Sequence, residues 1–208
     1  PGSADLLMKL FGAPAPVELA ISNRLRPEPG YWVAESSGVR ERSERVIEAL
    51  LHLPRPAIVY CMTPEQARDR RKEFVDAGFE RSAVFHGKTG PSRRREIMMG
   101  FRSGEIDLVV ATSAFGVGVD QADVRTIVHA CIPETIDRYY QEVGRAGRDG
   151  SPSISVLCWT ESDKRMARKF AFPSVITSAI GIAYWNALRD EATVLPPNRL
   201  VLPLNATP

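Results

Sequence analysis

The residues best suited to do chemistry lie at 141–148. Gln141 is followed by Gly144-Arg145-Ala146-Gly147-Arg148, so two arginines stand three apart at the end of a predicted helix. They project from one face if the helix persists. The glycines around them let the backbone approach another surface closely. Such a pair can meet a polyphosphate held by a different domain, and its fixed charge offsets the negative charge that develops during phosphoryl transfer. A second stretch, Val84-Phe85-His86-Gly87-Lys88-Thr89-Gly90, contains the Gly-Lys-Thr with which phosphate-binding loops end. The complete loop needs a further glycine at 82, where the chain has Ser82. It also needs a helix to start at the Lys-Thr, whereas Gly90 and Pro91 follow. Residues 84–90 therefore read as a strand end running into a turn.

These residues sit in a chain of 208 residues, 44% hydrophobic and 25% charged, a composition that suits one domain with an extension, or one full and one small domain. The net charge of +2 does not by itself announce a nucleic-acid binder. Its distribution says more. Arginine outnumbers lysine and clusters at Arg68-Asp69-Arg70-Arg71-Lys72 and Arg93-Arg94-Arg95. Guanidinium forks suit phosphate contacts, and the alternative is a solvated helix face. Cys61, Cys131 and Cys158 form no C-x-x-C pair, which argues against zinc and fits a reducing interior. The first ten residues lack the basic start and apolar run of a signal peptide, and no apolar run approaches the length of a membrane span. The expectation is a soluble, cytoplasmic protein with no membrane partner.

The elements that must position the arginines alternate regularly. Residues 1–45 read as a connecting segment, rich in proline at its start, and Arg42 to Leu53 has helical spacing. Short apolar runs follow at 57–61, 82–86, 107–112, 125–132 and 153–160, as expected of buried strands. Helical patterns separate them. One begins with Thr63-Pro64 and Gln66, a capping box with proline at the first helical position. Another has Ile97, Met98 and Phe101 inward and Gly104 as its stop. A third runs into the arginine pair. Strands joined by helical crossovers imply an α/β fold with a parallel sheet sandwiched by helices. Residues 166–208 read as a short C-terminal extension, helical over "SVITSAIGIAYWNALRDEA" and then proline-rich.

"YYQEVGRAGRDG" resembles motif VI, and "ATSAFGVGVDQADVRTIVH" resembles motif V, of the second RecA-like domain of superfamily 2 helicases, and among them the RecQ-like DNA helicases. "AIVYC" and "VFHGKTG" stand where motif IV and the following strand-turn lie in that family. The resemblance covers roughly residues 46–165. It implies a RecA-like fold and assigns roles. Arg148 becomes the arginine finger, Arg145 contacts the γ-phosphate side or braces the inter-domain cleft, and Gln141 links nucleotide state to domain closure. Gly118 and Asp120 border the nucleotide. Thr112 and Ser113 meet a DNA phosphate at a strand's carboxyl end, with His86 and Gly87 near the same path.

Each assignment has an alternative. Arg145 could form a surface pair with Glu142, Asp120 could be a turn residue, and Tyr139 or Tyr140 could stack on a base or pack on the sheet. His129, in an apolar run, reads as core. The chain also departs from the family. "FHGKTG" replaces a Tyr-His-Ala-Gly-Leu type of sequence, Gln121 stands where lysine is common, and the four zinc-binding cysteines that follow this domain are missing from the tail. The phosphate-binding loop and Mg²⁺-coordinating acidic motif of the family belong to its first RecA-like domain. The expectation is thus a second motor domain, inactive alone. It would work with ATP, Mg²⁺, single-stranded or partly duplex DNA, and the first RecA-like domain of the same protein. The alternatives are an RNA helicase or other superfamily 2 translocase domain, and a non-catalytic nucleic-acid-binding scaffold.

Overall fold

Four short strands carry most of the sheet's buried interior: β2 (Ala57–Tyr60), β3 (Ser82–Phe85), β4 (Leu108–Ala111) and β5 (Thr126–His129); all are buried along their whole length except β3, an edge strand in which Val84 is half-buried. The computed structural model describes residues 26–115, 123–171, 178–190, 192–195 and 199–201. With β1 (Pro29–Glu35) and β6 (Ser153–Trp159) these strands form a six-stranded sheet in the order β1-β6-β5-β2-β4-β3, every pair parallel. Helices α1 (Val39–His52), α2 (Pro64–Asp76), α3 (Pro91–Ser103) and α4 (Ile136–Val143) make the crossovers.

Because successive strand residues point to opposite faces, the continuous apolar runs build two cores. Ile58, Tyr60, Val109, Ala111 and Ile127 face one side and pack with Ile97 and Phe101 of α3 and with Phe115 and Ala146. Ala57, Val59, Leu108, Val110 and Val128 face the other and pack with Val46 and Leu50 of α1 and Ala67 and Phe74 of α2.

The local signals work as the residue types dictate. Thr63 Oγ1 accepts from Gln66 N at 3.2 Å and Gln66 Oε1 accepts from Thr63 N at 3.3 Å, so the capping box is closed ahead of Pro64. Gly104 ends α3 in the left-handed region at φ 79°. Helix α1 begins about a turn earlier than its spacing suggests. Glu41 accepts from Ser37 N at 2.7 Å and Ser37 Oγ at 2.6 Å, which fixes the entry turn. Those hydrogen bonds, aided by Arg45, lower the Glu41 carboxyl to about 2.

One expectation needs correcting. The segment 1–45 is not merely a connector, for its residues 29–35 form the edge strand β1, paired with β6 from Pro29↔Ser153 to Glu35↔Trp159. A Pro-Gly start and exposed Trp32 and Val33 hide this strand from an apolar-run criterion.

Many of the clustered arginines serve the fold. Arg70 is buried and donates to Glu73 and Ser43, and Arg71 donates to the Ser82 carbonyl. Arg94 donates to the carbonyls of Gly87 and Thr89 and lies over the Phe85 ring.

The chain divides into two units, Pro1–Thr160 and Glu161–Pro208. In the second, α5 (Glu161–Ala171) and α6 (Ser178–Asp190) are helical, and β7 (Thr193–Leu195) pairs antiparallel with β8 (Arg199–Val201). The proline-rich tail thus contains a strand where only an irregular exit was expected.

All three cysteines are buried, and burial pushes the Cys61 thiol up to about 12 and the Cys158 thiol up to about 11. The thiolate is the reactive form. At pH 8 the folded chain should therefore be silent to Ellman's reagent, with three thiols titrating on addition of denaturant; a fast reaction in the native state would contradict the burial described.

Candidate functional site

The arginine pair is displayed by a turn, not by a persisting helix. Helix α4 is capped by Thr135, whose side chain accepts from Arg138 N at 3.1 Å, and it ends at Val143. Beyond it Arg145 N donates to Glu142 O at 3.2 Å and Ala146 N to Val143 O at 3.0 Å, the three-residue pattern of a tightened last turn. Ala146 plugs into the apolar core. Gly147 then reverses the chain at φ 63°, and its N–H donates to Val124 O at 2.9 Å. A Cβ there would lie 2.8 Å from Ser151 O and 2.9 Å from Ser153 Oγ. Only glycine combines that dihedral with that closeness. Asp149 secures the far side. Its carboxylate accepts from both Arg125 terminal nitrogens and from Ser151 N, and the Arg125 guanidinium holds it well below the usual carboxylate range.

Arg145 is half-buried and its guanidinium lies beside the Tyr60 hydroxyl. Burial pushes the Tyr60 phenol far above its ordinary value, so it stays protonated and donates to the Phe115 carbonyl at 3.2 Å. One tyrosine thereby joins the end of β2, the turn after β4 and the arginine turn. Its ring stacks on His129 with centroids 5.3 Å apart. His129 is fully buried, as its apolar run suggested, and its Nε2–H donates to Glu142 Oε2 at 2.9 Å. Glu142 is only 5% exposed, so it is not the surface partner of Arg145 that was considered. Arg148 is exposed, and its Nε donates to Gly144 O at 3.1 Å. Gln141 is also exposed.

The residues expected along the nucleic-acid path meet at the carboxyl ends of β3 and β4. Thr112 N donates to Phe85 O at 3.1 Å, and a Cβ on Gly87 would lie 3.9 Å from Ala114 Cβ. Gly87 is exposed and Ser113 half-buried, whereas Thr112 is 6% exposed. His86 is half-buried. Its ring contacts Thr89 Oγ1 at 3.3 Å and the Arg68 guanidinium at 3.2 Å. Gly87-Lys88 forms a turn closed by Thr89 N donating to His86 O at 2.9 Å, and α3 starts only at Pro91. The Gly-Lys-Thr is thus no helix-borne phosphate loop. Gly118 and Asp120 lie outside the described residues.

Residues 41–150 match the helicase conserved C-terminal domain family. The chain belongs to that family. Its relatives include the probable ATP-dependent DNA helicase RecS of Bacillus subtilis, 36% identical over 138 residues, covering 66% of this chain and 28% of the relative. The ATP-dependent DNA helicase RecQ of the same species is 38% identical over 130 residues, covering 62% and 22%. The ATP-dependent helicase wrn-1 of Caenorhabditis elegans is 41% identical over 112 residues, covering 54% and 10%. The domain is RecQ-like, and it spans a quarter or so, or less, of the length of these relatives. In fold it is similar to Saccharomyces cerevisiae Dbp5 bound to RNA and ADP BeF3, with a TM-score of 0.66 at 16% identity, covering 82% of this chain and 46% of that one. It is also similar to the Escherichia coli DEAD-box protein SrmB, with a TM-score of 0.61 at 19% identity, covering 72% and 88%. The parallel sheet of this helicase domain is RecA-like.

Tyr60 and Glu142 lie within the motif-like stretches, but the resemblance assigns neither of them a role. The one signal is position, since Tyr60 ends an apolar strand and Glu142 precedes the glycine turn. Removing Glu142 leaves the buried His129 Nε2–H without its acceptor, so Glu142→Ala should cost about 1–3 kcal/mol and Glu142→Gln less. Urea unfolding of the chain checks this, and equal loss in both variants would remove the hydrogen bond as the cause.

Proposed function

We propose that this helicase domain is the second motor domain of an ATP-dependent DNA helicase or translocase. Arg148 serves as its arginine finger and Arg145 as the inner arginine of the inter-domain cleft. The observation that carries the reading is the convergence on Tyr60. Arg145 lies beside the same hydroxyl that holds the Phe115 carbonyl, so two separated stretches of motif-like sequence meet a strand end on one sheet face. The names of the RecQ-like relatives supply the nucleic acid, DNA, and the dependence on ATP.

The residues present fit one side of a nucleotide. Arg145 Nε is buried with no hydrogen-bond partner in the protein, and Arg148 stands at the surface beside it in the same turn. When bound between two motor domains, ATP with its Mg²⁺ supplies the phosphoryl group that is transferred to water. In this reading the first RecA-like domain holds both. Arg145 and Arg148 add fixed positive charge where the terminal phosphate gains negative charge, which stabilises the transition state without reorganisation. Gln141, exposed on α4, senses closure; Gly118 and Asp120 border the nucleotide.

The nucleic-acid track in this reading runs over Ser113, Thr112, His86 and Gly87. Contacts at such a place go chiefly to the backbone, so binding is sensitive to salt and tolerant of sequence. Alternating closure then moves this track relative to one on the first domain. Among the described residues no helix is long and apolar enough to cross a membrane, and the proposal assigns the protein to the cytoplasm.

Two results test the proposal. Arg148→Ala in the full-length protein should lower DNA-stimulated ATP turnover by about 10³–10⁵-fold. Its exposed position should keep the change in stability within about 0.5 kcal/mol. Stimulation by RNA in preference to DNA would move the domain to an RNA motor, and no stimulation by either would favour a binding scaffold. The 208-residue chain by itself should show no ATP turnover above buffer in a phosphate-release assay; turnover abolished by Arg148→Ala would overturn that expectation.

A further inference from the structure

The guanidinium of Arg26 grips the turn that carries both arginines. Its Nη1 donates to Gly144 O at 3.1 Å and its Nη2 to Gly147 O at 2.8 Å, while Nε donates to Glu28 Oε2 at 3.2 Å. The grip is itself anchored to the sheet, because Glu28 O accepts from Ser153 N at 3.0 Å as β6 begins. It is close enough that a Cβ on Gly147 would lie 3.1 Å from Glu28 Cβ. Arg26 lies 118 and 121 residues from the two carbonyls it holds, and outside the 41–150 span of the family match.

We infer that Arg26 is a positioning residue for the Arg145–Arg148 pair, an inference that rests on the function proposed above for that pair. The two carbonyls bracket Arg145, so the fork fixes the frame from which that side chain departs. Gly144 O accepts from both Arg26 Nη1 and Arg148 Nε, each at 3.1 Å. Arg148 must leave this carbonyl to reach a phosphate. Arg26 stays on it, so the acceptor is not orphaned and the departure costs less. The Glu28 carboxylate offsets the charge of Arg26, which makes its contribution geometric. A planar guanidinium spans two carbonyls and a carboxylate at once; an ammonium is a single point of donation and cannot.

Hydrogen exchange of the 208-residue chain, read by mass spectrometry, gives a direct test. In Arg26→Ala the amides of residues 144–150 should exchange about tenfold faster while those of β5 keep their protection, with Arg26→Lys close to Arg26→Ala. Single-stranded-DNA-stimulated ATP turnover of the full-length protein gives the second arm. There Arg26→Ala should lower kcat by about 10–100-fold, as a misplaced group does, with KM for ATP changed less than about threefold. Unchanged exchange over 144–150, or a loosened turn with unchanged kcat, overturns the inference. Should Arg148→Ala keep full turnover, the finger assignment fails instead, and the exchange arm still decides whether Arg26 holds the turn. General unfolding would appear as lost protection in β5, and Arg26→Gln, which keeps the volume and a donor, then replaces Arg26→Ala.

Discussion

A hydrogen bond between two buried polar groups sets the placement of the arginine turn in this domain. His129 is fully buried and Glu142 nearly so where they meet. Buried polar groups are tolerated when they satisfy one another. The bond fixes the last turn of α4 against β5, and the stacking of His129 on Tyr60 carries that placement to β2. The arginine turn begins three residues beyond Glu142, too few for it to wander. The electrostatic part of the site is thus located by a contact that bears no resemblance to a catalytic group.

Rigidity is layered around that contact. Ala146 is fixed by apolar packing, Gly147 by backbone geometry, and Asp149 by charge-assisted hydrogen bonds from Arg125. These are three different kinds of constraint on three nearly adjacent residues, and they leave the arginine side chains as the variable parts. In the function proposed above, such a frame leaves only the two side chains to be arranged when substrate charge develops. The carboxyl ends of β3 and β4 follow a looser plan. There the turn of His86–Thr89 is closed by its own hydrogen bonds, and arginines from α2 and α3 reach in to the His86 ring and to the Gly87 and Thr89 carbonyls.

The central strands were legible because burial on both faces demands apolar residues at every position, and Ile58-Val59 or Val109-Val110 answer to nothing else. Thr63, Pro64 and Gln66 announced a helix start for equally local reasons. The arginines were legible by type and spacing, as was the expectation that His129 is core. What could not be read is whatever depends on partners distant in the chain or on the backbone as acceptor. The two carbonyls held by Arg26 have no side chain to advertise them. Strand β1 starts with Pro-Gly and exposes Trp32 and Val33, so only its pairing with β6 reveals it. The end of α4 at Val143 was obscured because Gly144-Arg145-Ala146 continues its hydrogen-bonding habit in tighter form. Positions 118 and 120 lie outside the described residues, so the reading of motif V there rests on the sequence.

The place of β1 has a consequence for how the chain is made. Pro29 pairs with Ser153, so the strand synthesised first receives its partner among the last of the sheet. At a translation rate of about 5–20 residues per second, the ribosome needs roughly 6–25 s to reach that partner. Throughout that interval the sheet can assemble from β2 to β5 while an apolar strand bearing Trp32 and Val33 waits in solvent. An unpaired strand of this kind is a template for foreign chains. Completion of β6 is therefore the event that takes β1 into the sheet, where it occupies one edge and still presents Trp32 and Val33 to solvent.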